Sequence, residues 1–315
     1  MSVRRTTGSA RSGYAAAAGA AVLWAAGGVV ARHVIADGAS YVELTEARAW
    51  ISAAVLVGAL GIRPPADDDA AARPPLYLVV LFGLSIAMAN LLYYASLSKL
   101  PVAVAITVQY TGPALVVLWT VVVDRYRPSR RVVGALVLAV AGVAFLAELP
   151  VVLGEARLRL SGVGFVFAVG SAFAFATYIV TGERLTRRIG ARRVVARGFV
   201  VASVLWIIVQ AGRGRPGTLL QARFTPWIVF LAVATTIVPF FMFVWGLERI
   251  HASNAAIVST LEPLTAAVIA FVWLGETLSG LQVAGALMVL AGVAAVQTER
   301  PPSDDVLVER AAVGE

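Results

Sequence analysis

The feature that most limits the fold open to this chain is the recurrence, along almost its whole length, of apolar runs long enough to cross a bilayer. A hydrocarbon core about 30 Å thick needs roughly 17 to 25 apolar residues per helix. Ten such segments are readable, near 14–35, 41–61, 76–97, 101–123, 132–147, 161–181, 195–211, 227–248, 252–274 and 280–297, of which the fifth, seventh and tenth are short for a full span. Backbone N–H and C=O groups find no water inside a membrane, so spans of this composition are helices. Only 14% of the residues are charged and 59% are hydrophobic, against roughly 25% charge in an ordinary soluble domain. The expected fold class is an all-α membrane protein with ten transmembrane helices. The first run follows Arg4, Arg5 and Arg11 and shares the alanine richness of a signal peptide, but its length fits a span and the internal repeat requires it.

A formal charge of +8 would suit a nucleic-acid partner, yet the basic residues, all but one of them arginine, sit mostly between the apolar runs. Topology accounts for them. With Arg48 and Arg197 set aside as lying within or at the edge of helices, alternation places 17 basic residues on the side of the N-terminus and 7 on the other. The positive-inside rule then makes both termini cytoplasmic, in what reads as a multi-pass protein of a bacterial plasma membrane with the lipid bilayer as its main partner and no nucleic acid. Residues 1–13 form a short cytoplasmic lead. Residues 298–315, with Pro301, Pro302, Asp304, Asp305 and Glu309, read as a disordered cytoplasmic tail, and Asp67 to Asp69 beside Pro64 and Pro65 as a flexible loop. Cysteine is absent, which removes disulfides, thiolate metal sites and cysteine nucleophiles.

Sliding the chain against itself by 150 residues lays KLPVAVAITVQYTGP (99–113) over RIHASNAAIVSTLEP (249–263), so that Lys99 meets Arg249 and Pro113 meets Pro263. The same shift aligns the AGVA at 141–144 with the AGVA at 291–294, and a shift of 149 aligns Ala47-Arg48 with Ala196-Arg197. Two halves result, 14–148 and 159–297, with five segments each. Five is odd, so the second half enters the membrane from the opposite side, an inverted repeat. Small residues at Gly27 with Ala31, Gly164 with Ala168, and Gly285 with Gly292 are expected to let helices approach closely.

The most unusual stretch is Asn254 to Glu276, an apolar run holding Glu262 and Pro263 near its middle. A carboxylate at membrane depth is costly and normally faces a cavity or a partner. Pro263 has no N–H, so the Ser259 carbonyl loses its helical donor; Pro113 does the same to Gln109, and Pro239 to Thr235. Asn254, Ser259 and Glu262 fall within an arc of about 140° at helical spacing, a polar face expected to line a pathway. Glu262 is the leading candidate for binding a cation or exchanging a proton, with protons as the coupling ion that would follow; the alternative is a structural group bonded to backbone freed near the proline, or one that is neutral and packed.

In the second helix Glu43 and Glu46 lie one turn apart, with Trp50 next along their face, while Arg48 points about 160° from Glu46 and needs a partner elsewhere or a substrate carboxylate. Glu43 also suits a plain interfacial place near a helix N-terminus. Asn90, Tyr93 and Tyr94 share a face of the third helix, and Thr107, Tyr110 and Thr111 one of the fourth; a wet cavity or interhelical hydrogen bonds would satisfy either set. Trp24, Tyr178 and Trp245 are candidates for aromatic walls, with interfacial anchoring as the competing role. His33 and His251 are isolated at membrane edges and point to no metal, and no cofactor is expected.

The aligned proline-centred helices, the Leu261-Glu262-Pro263 with Leu274-Gly275-Glu276 after it, the arginine-bearing ELTEARAWISAAVLV and the AGVA near the end of each half together resemble EamA-type members of the drug/metabolite transporter superfamily. The resemblance covers about residues 14–297. It implies a ten-helix secondary carrier with two EamA repeats, often an exporter of amino acids, other metabolites or drugs. Asp124-Arg125-Tyr126 stands where the family commonly has Gly-Glu after the fourth helix, whereas Glu276 keeps that glutamate in the second half.

A metabolite or drug exporter taking a small-molecule substrate, working as a monomer or homodimer, is therefore the expected function. A flippase for lipid-linked sugars is the nearest alternative, and would show a lateral opening with a basic pocket. An enzyme is disfavoured, because every Asp lies in a loop or tail, cysteine is absent and the histidines are peripheral. The absence of native cysteine makes the topology directly testable: single cysteines placed in the Arg63–Arg73 loop and in the tail should react with an impermeant thiol reagent only after the membrane is opened, and labelling from outside in intact cells would overturn the assignment.

Overall fold

Apolar sequence that must satisfy its own backbone forms helices, and every regular element among the described residues is one. The computed structural model describes residues 7–60, 74–97, 99–125, 128–154, 161–212, 217, 221–274 and 277–298. The acidic loop at 67–69, Glu276 and the tail beyond residue 298 lie outside the described residues. In chain order the helices are α1 (Thr7–Ala36), α2 (Tyr41–Leu60), α3 (Leu76–Leu97), α4 (Val102–Gln109), α5 (Gly112–Val122), α6 (Arg130–Leu146), α7 (Leu149–Gly154), α8 (Gly162–Ala211), α9 (Thr225–Ala232), α10 (Val238–Leu247), α11 (Ala252–Ser259), α12 (Leu261–Leu274) and α13 (Gly280–Gln297). A π turn, Val233–Ile237, joins α9 to α10. Ser129, Ser161 and Ser279 start α6, α8 and α13, each hydroxyl accepting the backbone N–H three residues on.

Seven stretches among the described residues are long and apolar enough to cross a membrane. The difference from ten has visible causes. Helix α2 carries Glu43, Glu46 and Arg48, α6 has 17 residues, and α8 counts once although it runs for 50. A straight helix of that length would measure about 75 Å, more than twice a bilayer core. Helix α8 is not straight. Gly190 sits at φ 74°, ψ 154°, a conformation that favours glycine. Phe82 of α3 lies against both Gly182 and Gly198, positions about 24 Å apart along a continuous helix, so the chain folds back between them. The Ala191 N–H that opens the second limb donates to Glu248 Oε1, beyond α10.

Several boundaries differ from the sequence expectation. The basic stretch Arg184 to Arg193, expected as a loop, continues the helix up to Ile189, because arginine and leucine are good helix formers, and the break narrows to Gly190. Helix α1 begins at Thr7 rather than at residue 14, and 149–154 is a short helix where a loop was expected. The fourth, eighth and ninth segments are each interrupted, at Tyr110-Thr111, at the π turn and at Thr260.

The last long helix of each half, α6 and α13, pack against one another through glycine. A Cβ at Gly285 would lie 2.6 Å from the Gly142 carbonyl oxygen and 2.5 Å from the Leu146 nitrogen; one at Gly292 would lie 2.7 Å from the Ala135 carbonyl oxygen. Main-chain atoms cannot step aside as a side chain can. Gly285→Ala should therefore lower stability by about 1–3 kcal/mol, read as an earlier thermal unfolding in detergent. Gly134→Ala in α6, with open space around it, serves as the control and should be neutral or stabilising by up to about 1 kcal/mol; equal effects at the two positions would contradict the seam.

Candidate functional site

The site begins with the interrupted helices. At the α4–α5 break Thr111 sends both its N–H and its hydroxyl to the Val108 carbonyl, at 3.1 and 2.7 Å. At the α11–α12 break Thr260 does the same to Ile257, at 3.1 and 2.6 Å. Each threonine tightens the last turn before a proline that cannot donate, Pro113 or Pro263. The breaks leave Gln109 half-buried as the last residue of α4, Tyr110 buried in the gap, and Glu262 on the first turn of α12.

Across this gap the structure brings together residues from four helical segments. The Tyr110 hydroxyl is within hydrogen-bonding reach of the Glu262 carboxyl, and Tyr93 of α3 and Arg48 of α2 are near enough to act on that carboxyl electrostatically. Arg48 also donates through Nε to Thr236 Oγ1 at 2.7 Å. The π turn makes this contact possible, since a widened turn presents both Thr235 and Thr236 inward; their hydroxyls donate to the same Leu231 carbonyl, at 2.9 and 2.8 Å. Arg48, Thr236, Asn90, Trp206 and Phe240 line a narrow cavity of about 20 Å³. Asn90 donates its amide to the Ile86 carbonyl at 3.2 Å, and Glu46 is wholly buried on the inner side of α2.

The aromatic candidates divide. Trp24 lies against Phe240 and Phe243, with ring centroids 5.3 and 5.2 Å apart, and Tyr178 against the same two at 5.4 and 5.8 Å. Trp245 carries the Arg249 guanidinium 3.3 Å from its ring centre. Tyr94 packs between Tyr93 and Tyr41, at 5.8 and 5.7 Å.

The polar face expected on α11 is occupied structurally. Asn254 donates to the Tyr14 hydroxyl at 2.7 Å, and Tyr14 donates to the Val296 carbonyl at 3.0 Å, so the amide ties α11 to α1 and α13. Ser259 is fully buried and donates to the Ala256 carbonyl at 2.7 Å. Glu43 accepts the Gly217 N–H at 3.0 Å, and Asp124 pairs with Arg184, whose guanidinium lies 5.2 Å from the Trp119 ring centre. Thr236 and Tyr14 were not singled out in the sequence. The only signal for Thr236 was its place three residues before Pro239; a lone tyrosine in an alanine-rich helix gave none for Tyr14. Among the described residues no three His, Asp or Glu side chains converge to hold a metal ion.

A polar interior at helix breaks, inside a bundle of apolar helices, defines the class: an integral multi-pass membrane protein. Residues 11–147 and 162–298 each match the EamA-like transporter family, and the chain belongs to that family. The threonine/homoserine exporter RhtA of Salmonella typhimurium (strain SL1344) is 31% identical over 218 residues, 68% of either chain. An uncharacterized inner membrane transporter, YicL of Salmonella typhimurium (strain LT2), is 25% identical over 91% of this chain and 95% of its own. A solved structure described only as a crystal structure of protein superposes with a TM-score of 0.74 at 19% identity, over 96% of this chain and 99% of that one, a likeness of fold.

The Arg48–Thr236 bond yields a measurable consequence. Thr236→Val removes the acceptor of a charged donor and should lower stability by about 1–3 kcal/mol, while Thr236→Ser keeps the hydroxyl and most of the stability. Valine and serine variants that unfold at the same temperature would show that the bond contributes nothing.

Proposed function

We propose that the chain is a secondary carrier that exports small organic metabolites, amino acids foremost, across a bacterial plasma membrane by alternating access. The observation that carries this reading is the gathering of Glu262, Tyr110, Tyr93 and Arg48 around helix interruptions inside the bundle, the kind of place where carriers hold substrate. A zwitterion suits it. The Arg48 guanidinium matches a carboxylate, and Glu262 receives either the ammonium group or a proton, which makes a proton gradient a natural drive. The name of the RhtA relative, a threonine/homoserine exporter, supports amino acids as the first substrates to try.

In this reading α8 supplies two spans separated at Gly190, α2 and α6 each supply one, and the total is ten. Five per half makes the repeat inverted, with both termini cytoplasmic. A cavity of about 20 Å³ has room for a water rather than a metabolite, so in this reading it widens when substrate enters. Transport of lipid-linked sugars would call for a basic pocket opening sideways. The lateral groove between α1, α9 and α12, about 480 Å³, is lined by Ala26, Val30, Pro226, Trp227, Phe230 and Ile269, with no charge among them, and so favours a water-soluble substrate.

Reconstitution tests the proposal. Proteoliposomes should show saturable flux of threonine-like amino acids that accelerates with an opposing pH gradient, and Glu262→Gln should abolish the response to the gradient. Wild-type flux indifferent to pH would exclude proton coupling; no flux with any amino acid or cationic drug in a broad panel would exclude the carrier itself.

A further inference from the structure

Two polar atoms buried in the aromatic cluster, Trp24 Nε1 and the Tyr178 hydroxyl, have no hydrogen-bond partner among the described residues. Tyr178 is 2% exposed. A buried donor left unmatched is unfavourable, and such groups in native proteins normally answer to a water, an ion or a ligand. Both rings lie against Phe240, as does Phe199 at 5.2 Å. Phe240 and Phe199 in turn line the cavity that holds Arg48, Asn90 and Thr236. Phe240 is thus shared between the cavity that holds Arg48 and the aromatic cluster that holds the two unmatched donors.

The backbone beside Phe240 carries two irregularities. Phe240 comes directly after Pro239, and the π turn 233–237 lies immediately upstream. Converting the π turn to α-helix, which has fewer residues per turn, adds about one residue's worth of winding and rotates the downstream helix α10 by about 100°. The cavity also has to grow before it admits a solute. Withdrawal of Phe240 would enlarge it in the one direction where donors wait.

We propose that Trp24 and Tyr178 form a second compartment of the binding site, closed in this conformation by Phe240, and that their N–H and O–H bind an acceptor, a hydroxyl or carbonyl oxygen, at the end of the substrate remote from its charged groups. This rests on the carrier reading and assigns the specificity of the same site. The aromatic residues then select by hydrogen bonding rather than by serving as walls. Phe240 acts as a positioning residue: it exposes or hides the donors without itself bonding the solute.

Because the chain has no native cysteine, the compartment can be tested without knowing the substrate. Tyr178→Cys should react slowly with a small membrane-permeant thiol reagent, and adding Phe240→Ala should raise the rate about tenfold or more, as expected when a closed barrier is removed. Ala139→Cys, in the α6–α13 seam, should stay unlabelled in both backgrounds and so report that the Phe240 variant is folded. A Tyr178→Cys rate unchanged by Phe240→Ala, with Ala139→Cys still protected, would overturn the proposal. Selectivity gives the second arm. Wild-type protein should prefer threonine to 2-aminobutyrate, its analogue without the hydroxyl, and Tyr178→Phe should reduce that preference about tenfold, the size of one buried hydrogen bond. Undiminished preference in Tyr178→Phe would also overturn it. Absence of all amino-acid flux in the wild type would instead strike the carrier reading, and the labelling result would still decide whether the compartment exists.

Discussion

Inside a bilayer a main-chain carbonyl has no solvent to fall back on, so each place where a helix loses a donor must be answered by something else. Three prolines, Pro113, Pro239 and Pro263, each remove one N–H from a segment of membrane-spanning character. Beside these losses side-chain hydroxyls gather on neighbouring carbonyls. Thr111 and Thr260 double up on the carbonyls of Val108 and Ile257, and Thr235 and Thr236 converge on that of Leu231. Polar groups are thereby concentrated where the helices are weakest, and Tyr110, Glu262 and the Arg48 contact to Thr236 are all found there. The site is a product of the broken ladder.

How far this was legible in the sequence varies by element. The repeat was legible because proline, lysine or arginine, and the AGVA quartet recur at one offset, and the matched threonine turns of the two halves are its physical counterpart. The helical character of the spans and the three interruptions were likewise readable, since a proline's lack of an N–H depends on nothing outside its own segment. Contacts between distant segments were not. Arc geometry placed Asn254 beside Glu262, but only the packed bundle reveals that Tyr14 of α1 takes up its amide. Arg48 was recognised as needing a partner, and Thr236 could not be named because a π turn, which local propensity does not encode, decides its direction. The Arg184 to Arg193 stretch was misjudged for the opposite reason. Charge marks the edge of a membrane, yet it does not end a helix, and α8 runs on until a glycine lets it turn.

Two kinds of contact hold the bundle in separate ways. Hydrogen bonds and aromatic packing tie α2, α3, α10 and α12 around the polar interior, and these have rotamers and a π turn that permit rearrangement. The α6–α13 seam brings main-chain atoms to closest approach, with nothing there to rotate. Ser279 adds a tie at one end by donating to Glu148 Oε1 at 2.6 Å. The contrast sets a polar interior held by side chains beside a flank held by main-chain contact.

The seam also constrains how the gene can vary. A hydrogen atom is the only substituent that Gly142, Gly285 and Gly292 can bear, because each would drive a Cβ into backbone of the facing helix. No exchange on one helix can then be rescued by trimming a side chain on its neighbour, since the obstructing backbone would remain. Ordinary cores drift through paired compensations of large for small. Here that route is closed, and lineages descending from this chain should keep glycine at these three positions.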